Sequence, residues 1–267
     1  MDKDIIFNIS KKLENGMGVA LVTLIEIDGS SPGRKGNLMG VFQTGEICGT
    51  VGGGNLEFKL IKEALKAIEE NKSKSLEFDL IEEAALHMAC GGKVKAFIKV
   101  FEKKEKLIVI GGGHIGSELY KLGDYLGFEI VMIDDREEFC NSEKYPNAKN
   151  IVGNLEEITK NLKLDEYSFV VIVSRGHLGD KVALKGVLGR GAKYIGMIGS
   201  RSKVKKTFNE LEKEGISVVE LEKVYSPIGL DISSGSPKEI GVSIISEILK
   251  IKNNLSGYSL KEKIRYE

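Results

Sequence analysis

The sequence is poor in the features of disulfide-rich and nucleic-acid-binding proteins. Its three cysteines lie far apart and form no C-x-x-C pair, which argues against a disulfide scaffold or a zinc ribbon and fits a reducing compartment. Lys plus Arg and Asp plus Glu both number 39, so no basic excess is available to neutralise nucleic-acid phosphates. We therefore expect no nucleic-acid partner.

Long apolar segments are absent as well. No run approaches the roughly 18 apolar residues that span a bilayer, and the mixed-charge N-terminal segment lacks the apolar core of a signal peptide. Proline is scarce, at 4 residues, whereas the 32 glycines cluster in short motifs that predict tight turns and ligand loops. These patterns predict a cytoplasmic protein without a membrane partner.

Residues 1–102 predict an α+β domain. Apolar residues at helical spacing predict helices, β-rich runs predict strands, and glycine loops separate them. The predicted elements are a helix near Ile5–Leu13, a strand at Val19–Ile27, a hairpin of Asn37–Phe42 with Ile47–Val51, a helix at Leu56–Glu70, a strand at Ser75–Leu80, a short helix at Glu82–Met88 and a strand at Lys93–Phe101.

After the charged segment Glu102–Lys106, the pattern changes to alternating short apolar strands and helices. That alternation is typical of a parallel, doubly wound sheet and predicts a Rossmann-like domain over residues 107–253, followed by a polar tail at 254–267. The predicted strands are Leu107–Ile110, Glu129–Asp134, Asn150–Val152, Phe169–Ser174, Lys193–Ile198 and Lys223–Tyr225. Ser236, followed by Pro237 and Glu239, predicts the start of the last helix.

A glycine loop follows the first of these strands. Gly111, Gly113 and Gly116 match G-x-G-x-x-G, in which the glycines allow a tight turn, close approach of a phosphate and close packing of helix on strand. Asp134 ends the next strand, where an acid that binds ribose is expected. His114 lies inside the loop, and Arg136 could favour an extra phosphate or pair with the neighbouring acids.

Later loops leave strands at the same edge of the predicted sheet, where ligands bind in such folds. Arg175, His177 and Asp180 follow one strand. Ser200 and Arg201 follow the next and open a helix, which predicts an anion site. Ser174, His177 and Asp180 resemble a hydrolase triad in composition only, because their spacing within one loop is unlike known triads. The basic residues after Ser200 could equally form a solvated helix face.

The first domain has two glycine-rich loops, at Ser30–Gly33 and Gly49–Asn55. Such turns expose backbone N–H groups that can form anion-binding nests. Cys90, before Gly91, stands where a thiol could reach a ligand, although a lone cysteine is more often a small buried apolar residue.

In order along nearly the whole chain, these motifs resemble those of the xanthine dehydrogenase accessory protein family (XdhC/CoxI). The residues that carry the resemblance are Gly29–Pro32, Gly49–Gly54, Cys90–Gly92, Gly111–Ile115, Asp134–Arg136, Ser174–His177, Asp180, Tyr194–Arg201 and Pro227–Asp231.

The resemblance implies a maturation factor rather than an enzyme. Members bind molybdenum cofactor, assist its sulfuration by a cysteine desulfurase and help insert it into hydroxylases of the xanthine dehydrogenase type. Many relatives carry cysteine at the position of Asn55, so Cys90 is the remaining candidate to contact the metal. A soft thiolate suits a molybdenum–sulfur centre.

Three other functions remain open at this stage. The Gly111–Asp134 segment could serve an NAD(P)-binding oxidoreductase, with His177 as proton donor, or a regulatory protein that binds another nucleotide. Alternatively, the fold could be an interaction module without a ligand. A homodimer is compatible with the sequence but is not predicted by any motif.

Overall fold

The computed structural model describes residues 2–14, 16–29, 31–79, 92–101 and 103–263, and these form two compact units, residues 1–103 and 104–267. Within the described ranges, no helix is both long and apolar enough to cross a membrane. The predicted class, an α+β domain followed by a Rossmann-like parallel-sheet domain, is confirmed.

The first unit is built on a five-stranded antiparallel sheet in the order β3-β2-β1-β5-β4. Its helices are α1 (Asp2–Glu14) and α2 (Gly54–Glu69), and its strands are β1 (Val19–Gly29), β2 (Leu38–Phe42), β3 (Ile47–Gly49), β4 (Lys74–Asp79) and β5 (Gly92–Phe101). The apolar face of α2, with Leu60 and Ala64, packs against β1 and β5 and forms the core. The predicted hairpin and the helices near Ile5–Leu13 and at Leu56–Glu70 are confirmed. The predicted helix at Glu82–Met88 lies outside the described residues.

The second unit is a five-stranded parallel sheet in the order β10-β9-β6-β7-β8, the 3-2-1-4-5 arrangement of dinucleotide-binding folds. Its strands are β6 (Lys106–Ile110), β7 (Glu129–Asp134), β8 (Ala148–Val152), β9 (Ser168–Ile172) and β10 (Tyr194–Met197). Its helices are α3 (His114–Tyr125), α4 (Leu155–Asn161), α5 (His177–Val187), α6 (Arg201–Lys213), α7 (Val218–Leu221), α8 (Pro237–Lys252) and α9 (Leu260–Lys263).

Both faces of this sheet are covered. Leu107 and Val109 of β6 pack with α3 and α8, whereas the alternate residues Ile108 and Ile110 pack on the side of α5 and α6. Alternation along a strand sends successive side chains to opposite faces, so β6 contributes to two cores. The strand order reverses beside β6, and ligands bind at that point in doubly wound sheets.

Two predictions near the C-terminal end of the second unit have different outcomes. Lys223–Tyr225 is not a strand, because its pairing is limited to one isolated parallel bridge between Tyr225 and Gly196. The predicted N-cap Ser236 is confirmed, since its side chain accepts from Glu239 N. Glu239 itself accepts from Ser234 N, 2.9 Å away, so the helix start is fixed on both sides.

Candidate functional site

The glycine loop lies between β6 and α3, and the lack of a side chain has a different structural consequence at each of its three glycines. Gly111 has φ +121°, a conformation that favours glycine, and a Cβ at Gly116 would overlap the carbonyl oxygen of Gly111. Gly113 is the N-cap of α3, and a Cβ there would meet nothing within 4 Å. The first and third glycines therefore serve the turn and the packing, and the second leaves open space at a helix N-terminus.

The backbone of Gly112 is held from both sides. Its amide donates to Asp134 Oδ2 at 2.8 Å, and its carbonyl accepts from the buried Tyr145 hydroxyl at 2.8 Å. Burial raises the pKa of Tyr145 to about 12, so this hydroxyl remains a donor at neutral pH. The loop is thus fixed before any ligand arrives, which reduces the entropy cost of binding.

Asp134 and Arg136 form a tight pair at the end of β7. Arg136 Nε lies 3.0 Å from Asp134 Oδ1, and Nη2 lies 3.2 Å from Oδ2. Burial alone would raise the pKa of Asp134, but hydrogen bonds from Arg136 and from the Gly112 amide outweigh it and lower that pKa. The guanidinium also lies over the ring of Phe139, with 3.9 Å from Cζ to the centroid.

A cleft of about 200 Å³ opens at the carboxyl ends of β6, β7 and β9. It is lined by Gly111, Asp134, Asp135, Arg136, Leu155, Ser174, Arg175 and Gly179. Its volume is below the ~300 Å³ at which pockets for whole drug-sized ligands begin, so it suits one portion of a larger ligand.

Asp180 is fully buried beside this cleft and joins two elements. Its Oδ1 accepts from Ser174 Oγ at 2.6 Å, and its Oδ2 lies 2.5 Å from Lys203 Nζ. Burial raises the pKa of Asp180, although Lys203 and Ser174 oppose that effect. The pair ties the loop after β9 to α6, so Asp180 supports Ser174 at the cleft without lining it.

The sequence-predicted residues are therefore only partly brought together. Gly111, Asp134, Arg136 and Arg175 line the cleft, with Arg175 exposed. Gly113, Gly116 and the exposed His114 belong to the adjoining start of α3, and His177 begins α5.

At the predicted anion site of Ser200 and Arg201, the polar groups of the helix start are partly used by contacts within the protein. The Ser200 hydroxyl caps α6 by accepting from Lys203 N at 3.3 Å, and Arg201 is exposed at the first helical position. Lys203, two residues further along the helix, directs its ammonium to Asp180 instead. Sequence spacing could not show this, because the partner acid lies 23 residues away.

Sequence reasoning missed four contributors to the cleft as site residues: Asp135, Leu155, Ser174 and Gly179. Asp135 stands next to the predicted acid, and Ser174 next to Arg175, so adjacency was the available signal. Leu155 carried none, since an apolar residue at the start of a helix normally indicates packing.

In the first unit, the predicted anion nest at Gly49–Asn55 is filled by the chain itself. Glu57 Oε2 accepts from the Thr50 hydroxyl, from Val51 N at 3.0 Å and from Gly53 N at 3.1 Å. Gly52 packs against the backbone of Gly33, which joins the two glycine loops.

We expect Glu57→Ala to lower the free energy of unfolding by about 2 kcal/mol, because three donors lose one charged acceptor. Glu69→Ala, on the same helix, is the matched control and should change it by less than about 0.5 kcal/mol. Urea denaturation followed by circular dichroism compares the two. Equal, small effects would contradict a structural role for Glu57.

A metal site is not evident in the described part of the chain, where no group of three or more His, Cys, Asp or Glu residues is arranged to hold an ion. Cys90, the predicted metal contact, lies outside the described residues. Cys140 is buried and donates to the Met132 carbonyl at 3.2 Å, and burial raises its pKa, so it is not a ready thiolate.

Two curated proteins are similar to this chain. Uncharacterized protein YqeB of Escherichia coli (strain K12) is 29% identical over 257 residues, which cover 94% of this chain and 47% of that protein. A protein of Bacillus subtilis (strain 168), described as a probable subunit of xanthine dehydrogenase, is 25% identical over 161 residues, 60% of this chain and 47% of that protein. The chain thus spans about half the length of these relatives.

A crystal structure of a xanthine dehydrogenase from Bacillus halodurans aligns with 94% of this chain and 97% of its own, at 20% identity and a TM-score of 0.49. The family models are more direct. The model described as the XdhC Rossmann domain matches residues 107–248, and the one described as the XdhC and CoxI family matches residues 13–92. The resemblance seen in the motifs is therefore confirmed: this chain belongs to the XdhC and CoxI family of xanthine dehydrogenase accessory proteins.

Proposed function

We propose that this chain binds molybdenum cofactor, assists its sulfuration by a cysteine desulfurase and helps insert it into a hydroxylase of the xanthine dehydrogenase type. The observation that carries the proposal is the open backbone at Gly113, at the N-terminus of α3, beside a cleft that contains Arg175. Helix N-termini with exposed N–H groups bind phosphate, and the cofactor carries one.

The described residues fit the phosphate end of this cofactor. A side chain at Gly113 would occupy the space that a phosphate needs, and the N–H groups that begin α3 have no side-chain cap. Arg175 would balance the charge of a bound anion. When bound, the cofactor supplies a molybdenum held by a pterin dithiolene, while these residues bind and orient its phosphate. Cys90 stays the candidate metal contact.

Gly113→Asp is the variant that tests the cradle. Aspartate is a favoured N-cap residue, so α3 and the fold should be retained, whereas its charge should repel a phosphate. We expect the dissociation constant for molybdopterin to rise at least tenfold, which corresponds to about 1.4 kcal/mol. Fluorescence titration measures it.

Ser217→Asp, at the N-cap of α7, adds the same charge in a similar position and should leave the dissociation constant unchanged. Equal binding by wild type and Gly113→Asp would remove the glycine loop from the site. If neither protein binds molybdopterin in any form, the proposed function fails.

A second candidate, an NAD(P)-binding oxidoreductase or a regulatory nucleotide-binding protein, is favoured by one observation, the strand order of the second unit. Titration with NADH and NADPH, combined with a turnover assay, distinguishes an oxidoreductase from a regulatory nucleotide-binding protein. Oxidation of bound cofactor would support the enzyme, and binding without turnover would support regulation.

A further inference from the structure

Asp134 stands where dinucleotide-binding folds place the acid that binds ribose, but its acceptor positions are already used. Oδ1 accepts from the amide of Arg136 at 3.1 Å and from its Nε at 3.0 Å. Oδ2 accepts from Gly112 N at 2.8 Å and from Arg136 Nη2 at 3.2 Å. A carboxylate has about four acceptor sites, so these four hydrogen bonds saturate it.

A ligand hydroxyl could reach Asp134 only by displacing one of these donors. Loss of the Gly112 amide would leave a buried N–H without a partner and release the glycine loop. Loss of Arg136 would leave a carboxylate that is only 3% exposed without its counter-charge. Either change destabilises the protein by more than a hydrogen bond to a ligand hydroxyl would stabilise the complex. The reason is that the desolvation penalty of an unpaired buried group is no longer offset by a hydrogen bond. The role of Asp134 is therefore structural: it fixes the glycine loop and the side chain of Arg136.

Asp135, the next residue, has the opposite environment. Its side chain is 62% exposed, and it lines the same cleft as Gly111 and Arg175. Its nearest cation is Arg136, at 3.6 Å, which is an ion-pair distance rather than a hydrogen bond. The Asp135 carboxyl is close enough to Asp134 to help lower the pKa of that group. Because Arg136 is held by Asp134 and Phe139, Asp135 can nevertheless accept from a ligand in the cleft while Arg136 stays in place.

We propose that Asp135, not Asp134, accepts hydrogen bonds from a ribose diol, and that the second unit takes a ligand containing a ribonucleotide. The cleft, at about 200 Å³, accommodates a nucleoside portion, and the adjoining start of α3 accommodates phosphate. Two ligands share this chemistry: a redox dinucleotide and a pterin cofactor with a nucleotide extension. In the second case the inference rests on the proposed function and refines its cofactor form.

The test of this proposal removes the 2′-hydroxyl from the ligand and the charge of Asp135 from the protein, separately and together. Dissociation constants for ADP, CDP and GDP and their 2′-deoxy counterparts are measured by calorimetry on wild type and Asp135→Asn. We expect wild type to bind at least one ribonucleotide roughly tenfold more tightly than its deoxy form, since a hydrogen bond to a charged group is lost. Asp135→Asn keeps only a neutral amide acceptor, so its preference for the ribonucleotide should fall to roughly threefold or less, with the ribonucleotide itself bound more weakly than by wild type.

Glu138→Gln is the matched control. Glu138 is an exposed acid close enough to raise the pKa of Arg136, but it does not line the cleft, so discrimination should persist. Melting temperatures of all three proteins should agree, because neither of the substituted side chains is buried. A base preference identifies the ligand: adenine indicates a redox dinucleotide, and cytosine or guanine indicates an extended pterin.

A preference for the ribose form that is undiminished in Asp135→Asn, or wild type that binds none of the three ribonucleotides, overturns the inference. Molybdopterin without a nucleotide extension has no ribose. Failure of nucleotide binding together with intact molybdopterin binding would therefore reject this inference alone, whereas loss of molybdopterin binding would reject the proposed function.

Discussion

Lys203→Met is expected to lower the free energy of unfolding by about 3–5 kcal/mol, because it leaves the fully buried carboxylate of Asp180 without its counter-charge. Ser174 would remain as a donor, but a hydroxyl does not balance a charge. The long apolar stem is retained by methionine, so packing changes little. Urea denaturation at neutral pH measures the loss.

Lys181→Met is the matched control, one residue after Asp180. Lys181 pairs with Glu210 and Glu214 at 3.1 Å, and about a third of each glutamate side chain is exposed. Such surface pairs are screened by solvent and contribute little to stability, so this variant should be nearly as stable as wild type. Equal losses for the two variants would show that the Asp180–Lys203 pair has no special role.

The loss in Lys203→Met should also depend on pH. Burial raises the pKa of Asp180 above its ordinary value of 3.8, so the folded state binds the proton more tightly than the unfolded state. Stability therefore falls as pH rises from the unfolded to the folded pKa. Without Lys203, the folded-state pKa of Asp180 rises further, so this pH range extends upward. The difference in free energy of unfolding between Lys203→Met and wild type should therefore shrink towards pH 4 and grow towards neutral pH. A difference independent of pH would contradict this mechanism.

Gly116→Ala is expected to lower the free energy of unfolding by about 3 kcal/mol or more, because the added Cβ would overlap the Gly111 carbonyl oxygen. Alanine has a higher helix propensity by about 1 kcal/mol, which the overlap must exceed. The carbonyl belongs to backbone fixed between β6 and the loop, so it cannot move aside as a flexible side chain would.

Gly113→Ala is the control for this change. Gly113 has φ −73°, and nothing lies within 4 Å of the position of its Cβ, so the free energy of unfolding should change by less than about 1 kcal/mol. Thermal and urea denaturation of both variants compare them. If Gly116→Ala proved as stable as Gly113→Ala, the close packing of α3 on β6 would be contradicted.

The sequence predicted the fold well where periodicity is strong. Glu129–Asp134 is a buried apolar strand in both prediction and structure, and Ser236 caps its helix as its spacing indicates. Lys223–Tyr225 was wrong as a strand because three residues carry too little periodicity to separate a strand from an extended loop. The short helix α7 was missed for the same reason, although Ser217 caps it.

The candidate site was predicted less completely, because its decisive contacts join distant residues. The position of Asp134 follows from the spacing, but its saturation by Arg136 and Gly112 depends on how the loop approaches β7. Similarly, glycine spacing indicated an anion nest at Gly49–Asn55, but nothing in the spacing showed that Glu57 fills it. Composition identifies groups able to bind a ligand, whereas packing decides which of them remain accessible.

The most direct test of the central claim is mass spectrometry of the small molecules released from gently purified protein, made in cells that synthesise molybdenum cofactor. Wild type is expected to release a phosphate-bearing pterin, with or without a nucleotide extension, in near-stoichiometric amount, and Gly113→Asp is expected to release roughly a tenth as much or less. Protein that carries no such ligand, or equal amounts from both forms, would contradict a cofactor-binding role for the glycine loop.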